Sequence, residues 1–191
     1  MVNVNMIEPM NPRALRDAFG SFATGVTVIT AWKPDGQPVG VTANSFTSVS
    51  LDPPLVLWCL NSASPSASAF AEGSPFAVTI LGEGAQKTAL HFAGKSPEKF
   101  PKGAEPADRS AAPKVPGAHP CRLDCLTDAV YAAGDHVVIL GRVVGMDRKG
   151  GKPLAFHEGR FHRLATEETP AVDGWERVGV NPPRLLALPF D

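Results

Sequence analysis

Apolar residues recur at helical spacing at Leu15, Ala18, Phe19 and Phe22, and the segment opens on Asn11 and Pro12, a capping residue and a first-turn proline. That pattern predicts a helix closed at Gly25. The run Val26–Trp32 is rich in β-branched residues, "PDGQ" at 34–37 carries a turn signal, and 38–43 resumes as a strand, so a hairpin is expected. The apolar runs at 54–60 and 75–81 read as buried strands. Between them a short helix is expected from Ser64–Pro65 to Gly73, and a further short helix over 84–94 ends at Gly94. Six prolines between Gly94 and Pro120 predict a long surface loop with little regular structure. Strands follow at 121–131 and 134–147, and 153–164 closes the series as a hairpin around Glu158–Gly159. Residues 165–191 hold four prolines and no clear period, and read as a tail. No internal repeat is present.

About seven strands joined by hairpins, with few and short helices, predict a mainly β, closed antiparallel barrel with helices at its ends. No strand exits into GxGxxG and the βαβ alternation is missing, so a nucleotide would have to be held by other means than a Rossmann crossover. The 191 residues, 43% of them hydrophobic, suffice for one domain with a real core. Lys plus Arg number 18 against 19 Asp plus Glu, so no long-range field draws nucleic acid or an anionic membrane, and neither is expected as a partner. The N-terminus lacks the basic start and apolar run of a signal peptide, and three cysteines (Cys59, Cys121, Cys125) do not make a disulfide framework; both point to a cytoplasmic protein. "HPCRLDC" at 119–125 lacks the paired spacing of a zinc site, and no metal is expected.

One stretch departs from an average soluble domain. "GVTANSFTSVSLDPPLVLWCL", 40–60, sets Thr42, Asn44, Ser45, Thr47, Ser48 and Ser50 between two apolar runs, with Pro53–Pro54 before the second. On the residues alone this is a hydroxyl-rich turn that satisfies its own backbone.

Four segments in order, "FGSFATGVTVIT" (19–30), the 40–60 stretch, "AGDHVVILGRVV" (133–144) and "PLAFHEGRFHRL" (153–164), make the chain similar to the flavin reductase-like family, the short-chain NAD(P)H:flavin oxidoreductases of two-component monooxygenases. The resemblance implies an FMN-binding split β-barrel with Greek-key strands over 13–164, an arm at 1–12 and a tail at 165–191. It further implies a homodimer, FMN or FAD near its interface, NADH or NADPH stacking on the flavin, and a monooxygenase component that receives the reduced flavin. The flavin-contacting run of the family falls on Thr42, Ala43, Asn44, Ser45, Phe46, Thr47 and Ser48, with further contacts at the strand end Cys59, Leu60 and Asn61. Its "GDH" signature falls on Gly134, Asp135 and His136, the histidine beside the nicotinamide. "GRFH" keeps an aromatic ring at Phe161 where the family often has tyrosine, so stacking is retained and a hydrogen bond is lost. "VPGAHPCRLDC" departs from the family's approach to the same strand.

A flavin ring has apolar faces and polar atoms on its edge, which suits small residues at a strand exit where backbone groups can come close. Without excess positive charge, the phosphate would depend on hydroxyls and amides: Ser62, Ser64 and Ser66 at the start of the short helix, or Ser48 and Ser50. Ser64 as a simple helix cap is an equal alternative. Hydride transfer needs no protein nucleophile, so His136 is expected to orient the nicotinamide and Asp135 to set its tautomer. Phe92 stands either beside the flavin or in the core. No arginine pair is placed for a 2′-phosphate, which favours NADH. A flavin or haem carrier without nicotinamide turnover is the competing reading. A pyridoxamine-phosphate oxidase is disfavoured because residues 40–70 contain no Arg or Lys.

Overall fold

The computed structural model describes residues 10–96, 98–101 and 111–165. The tail expected over 165–191, save its first residue, and most of the arm expected over 1–12 lie outside them. Helix α1, Pro12–Gly20, starts where the sequence predicts: the Asn11 side chain accepts the N–H of Arg13 at 2.9 Å. It ends at Gly20, five residues short of the expected stop, because Thr24–Gly25 forms a two-residue strand, β1, paired with Phe156 and Ala155. Then come β2 (Thr27–Trp32), β3 (Pro38–Ala43), β4 (Thr47–Leu51), β5 (Pro54–Asn61), β6 (Pro75–Ile80), α2 (Gln86–Ala93), β7 (Cys121–Ala133), β8 (His136–Arg148), β9 (Leu154–His157) and β10 (Arg160–Arg163). The helix expected from Ser64 is a 3₁₀ turn at Ala67–Phe70, whose Ala69 and Phe70 are buried.

Seven strands form one antiparallel sheet in the order β3-β2-β6-β7-β8-β5-β4, and β1-β9-β10 form a second. β5 lies beside β8 instead of its chain neighbour β6, which gives the Greek-key order. The sheet's two edge strands, β3 and β4, are joined by three residues, Asn44 to Phe46. Flat, those edges would stand about 29 Å apart at about 4.8 Å per strand. The chain from Ala43 to Thr47 reaches about 14 Å at most. The sheet therefore curls into a barrel, and since no β3–β4 pairing exists the barrel is split along that seam instead of closed.

The curl creates an inside and an outside, and β2 is buried on both. Ile29 and Ala31 face the barrel interior with Trp58, Phe70, Phe76, Val78 and Ile139, while Val26 and Val28 face Leu81, Ala89, Phe92 and Leu154 beneath α2 and the small sheet. Trp58 meets Phe70 edge-on at 4.8 Å. Cys125 is 1% exposed in the interior, where burial pushes its thiol up to about 12, so it stays protonated and inert at neutral pH. Outside, residues 111–113 lie along the barrel: Thr30 Oγ1 and the Arg122 guanidinium donate to the Pro113 carbonyl, the guanidinium also to Ala112, and Trp32 Nε1 to Ala111. Part of the loop expected to lack structure is thus fixed by polar side chains of the strands.

β7 and β8 form a long hairpin with bulges at Asp124/Cys125 and Thr127/Ala129. Its pairing changes along its length. β6 takes Cys121 to Leu126, while β5 takes His136 to Arg142, so β8 beyond Arg142 pairs only with β7 and exposes Val144 and Met146.

Gly141 sits where Phe76 crosses β8, and a Cβ there would stand 2.4 Å from the Phe76 ring. Gly141→Ala should cost about 1–3 kcal/mol of stability by overpacking, read as a thermal-midpoint loss of roughly 2–4 °C per kcal/mol. Gly145→Ala, whose Cβ would meet only Asp124 at an ordinary 3.5 Å, should leave the midpoint near that of the parent chain.

Candidate functional site

The seam between β3 and β4 is where the hydroxyl-rich stretch lies, and most of its hydroxyls serve the fold. Thr42 Oγ1 donates to the Ala89 carbonyl of α2 at 2.7 Å. Ser45 Oγ accepts the Cys59 N–H at 2.9 Å, which carries the β4–β5 pairing two residues past Thr47. Thr47 Oγ1 reaches the Ser48 carbonyl at 3.3 Å, and Ser48 and Ser50 flank a bulge in β4, a strand the sequence pattern did not reveal. Ala43 is buried, with its carbonyl held by Thr27 Oγ1 at 2.8 Å. Phe46 packs against the barrel core.

Asn44 faces elsewhere. It is exposed and lines a cleft of about 550 Å³ with Arg16, Phe19, Phe22, Thr24, Phe156 and the Glu158–Gly159 tip. That tip is a two-residue turn between His157 and Arg160 with φ of 46° and 75°, the left-handed pair of a type I′ hairpin. The Glu158 N–H donates to the Gly20 carbonyl at 2.9 Å and so binds the hairpin to the end of α1. Phe161 supports the cleft from behind, its ring 5.3 Å from that of Phe156. The Thr24 hydroxyl is buried at the cleft with no partner among the described residues.

From Asn44 the backbone, one hydrogen bond and the β5–β8 pairing lead to the histidine. Ser45 binds Cys59; two residues on along β5, Asn61 stands opposite His136 on β8. Leu60 between them points into the core at 4% exposure. The β7–β8 connection is a two-residue turn with Gly134 at φ 64°, the first central position of a type II′ turn, where glycine is required. Asp135 has two roles there. Its carbonyl accepts both the Ser62 N–H and the Ser62 hydroxyl at 3.0 Å, which ties the β5 exit to the turn. Its carboxylate lies 2.7 Å from His136 Nδ1. An ionised carboxylate only accepts, so Nδ1 carries the proton and Nε2 of the neutral ring is left as an acceptor. The same hydrogen bond, followed by the charge of His136, holds the Asp135 carboxyl below its usual value.

The other predicted residues are dispersed. Ser64 Oγ accepts the Ser66 N–H at 3.3 Å, ahead of a 3₁₀ turn too short to carry a helix dipole. Phe92 is 1% exposed, packed against Phe100 and the backbone of Gly40. Thr24, Phe156 and the Glu158–Gly159 tip were not singled out from the sequence. The aromatic pattern of "AFHEGRFH" was the signal available for them, but only the pairing of β9 with β1 brings it to Asn44.

A family model described as flavin reductase like domain matches residues 19–165. The chain belongs to this family. It is 40% identical over 175 residues to a probable flavin reductase of Rhizobium meliloti, covering 90% of this chain and 56% of that protein. It is 39% identical over 160 residues to the reductase component of the flavin-dependent trigonelline monooxygenase of Acinetobacter baylyi, covering 84% and 51%. The chain thus spans about half the length of these two curated relatives. Among solved structures, the NADH:FAD oxidoreductase of Streptomyces globisporus in complex with NAD and FAD fragments superposes with a TM-score of 0.72 at 36% identity, covering 84% of this chain and 99% of that one.

The Asp135–His136 contact predicts a readout of its own. Because the carboxyl is held low, the pair is intact above the ordinary carboxylate range and is lost only as pH falls through the lowered value. In nitrogen NMR at neutral to alkaline pH, His136 should show the Nδ1–H tautomer, and Asp135→Asn should redistribute the proton toward Nε2 with the fold unchanged.

Proposed function

We propose that this chain, as a member of the flavin reductase-like domain family, is an NADH-dependent flavin reductase that supplies reduced FMN or FAD to a separate flavin-dependent monooxygenase component. The observation that carries the reading is the Asp135-oriented His136, linked through Asn61, Cys59 and Ser45 to the Asn44 cleft. The cleft suits a flavin edge: Phe156 supplies an apolar wall, and the exposed Asn44 amide supplies a hydrogen-bonding group for the ring edge. Ser48, Ser50 and Ser64 are the hydroxyls assigned to the phosphate side. Gly134, Asp135 and Asn61 shape the nicotinamide side, where Nε2 of His136 accepts a carboxamide N–H. With both substrates bound, hydride passes from nicotinamide C4 to flavin N5, and the protein supplies alignment and in-plane donors for the charge that develops.

A homodimer in the cytoplasm completes the reading. α1 buries none of its residues although it carries Leu15, Ala18 and Phe19, and Phe19 and Phe22 are 68% and 76% exposed at the cleft rim. A second copy that covers them would close the cleft on its open side.

Purified protein should oxidise NADH only when FMN or FAD is added. His136→Ala should lower kcat/KM for NADH roughly tenfold to a hundredfold through lost alignment, with flavin affinity, read by fluorescence quenching, within about threefold of the parent. NADH oxidation that ignores added flavin would contradict the proposal.

A further inference from the structure

α2 and the short segment after it lie against the back of β3, the edge strand whose exit is Thr42–Ala43–Asn44. Three contacts hold them there. Thr42 Oγ1 donates to the Ala89 carbonyl at 2.7 Å. Gly40 lies so close to Phe92 that a Cβ would stand 2.4 Å from its ring, with Phe100 adding a second ring 5.2 Å from the first. The third is Lys99. Its Nζ donates to the Gly40 carbonyl at 2.9 Å and to the Phe92 carbonyl at 2.6 Å, and its own carbonyl lies 2.9 Å from His91 Nε2.

These two acceptors are informative. The Phe92 carbonyl belongs to the last turn of α2, where backbone acceptors lack helical partners and the helix dipole favours a cation. The Gly40 carbonyl belongs to a strand paired on one side only, with β2. A single ammonium satisfies both, and among the described residues Lys99 pairs with no carboxylate. A lysine that serves only solubility would present its charge to water; this one is half-buried and spent on two carbonyls of two different elements. Since β3 runs on from Gly40 to Asn44 in about 13 Å of extended chain, and Thr27 Oγ1 already holds the Ala43 carbonyl from the β2 side, the strand exit is fixed from both flanks.

We propose that Lys99 is a positioning residue for the flavin: by binding the carbonyls of Gly40 and Phe92 it locks α2 to β3 and holds the Thr42–Asn44 exit in the place where the flavin edge is read. It touches no substrate. This inference rests on the flavin-reductase reading above.

The test compares Lys99→Met with Arg122→Met, which removes side-chain-to-carbonyl bonds at residues 112–113 together with the Asp124 ion pair, on β7 and without contact to α2 or the β3 exit. Lys99→Met should raise the KM for flavin about tenfold or more and leave kcat at saturating flavin and the KM for NADH within about twofold. Arg122→Met should lower the thermal midpoint and leave the flavin KM within about twofold. An unchanged flavin KM in Lys99→Met, or an equal rise in both variants at equal loss of thermal midpoint, overturns the proposal. If Lys99→Met does not fold, Lys99→Gln, which keeps one donor group without charge, is read on the same terms. FMN and FAD affinities measured by fluorescence quenching separate the two claims. Absence of NADH oxidation in the parent chain would sink the reductase reading, and the binding ratio between variant and parent would still decide the role of Lys99.

Discussion

Three residues between Ala43 and Thr47 determine the shape of this molecule. They are too few to connect the edges of a flat seven-stranded sheet, so the sheet must roll until its edges meet. Rolling produces the enclosed interior filled by Trp58, Phe70 and Phe76, and it leaves β2 covered on both faces. It also produces a seam, and a seam is a place where backbone groups and short side chains stand next to one another without a ladder to consume them all.

The candidate site grows out of that seam. Ser45 extends the β4–β5 pairing across it, Thr42 and Thr27 steady the strand that enters it, and Asn44 is left to face the cleft. The polar residues of the 40–50 stretch therefore divide: Thr42, Ser45 and Thr47 hold the backbone, and the Asn44 amide stays open to the cleft. At the other end, Gly134 supplies a backbone conformation, Asp135 a proton position and a tether, and His136 the acceptor nitrogen. Each residue of "GDH" has its own physical reason to be there.

How much of this was legible in the sequence depended on how local the cause was. The hairpins at 27–43 and 154–163 were legible because turn chemistry fixes them within a few residues, and β3 matches its expected 38–43 bounds. β4 was not, because Val49 and Leu51 are its only apolar residues within a hydroxyl-rich run that reads equally well as a turn, and only pairing with β5 makes it a strand. α1 was expected to continue to Gly25 because nothing near Thr24 announces that its partner is Phe156, more than a hundred residues on. The same limit applies to the site. The seam residues and "GDH" were visible as motifs, whereas the bond partners of Thr42 and Ser45, and the approach of Thr24 and the Glu158–Gly159 tip to Asn44, are facts of tertiary structure.

The outer half of the β7–β8 hairpin leads to a different concern, the behaviour of the chain during synthesis and storage. From Val143 to Arg148 one strand edge is paired on a single side and shows Val144 and Met146 to solvent, a ready template for another strand. The residues that follow are Asp147, Arg148 and Lys149, with Lys149 Nζ 3.3 Å from Asp147 Oδ2, and a bulge distorts the ladder just before. Adjacent charges and a kinked edge are the means by which sheets refuse unwanted neighbours. The ordinary-looking "MDRKGGK" thus sets charges at the end of this one-sided edge, the composition that disfavours the addition of another strand.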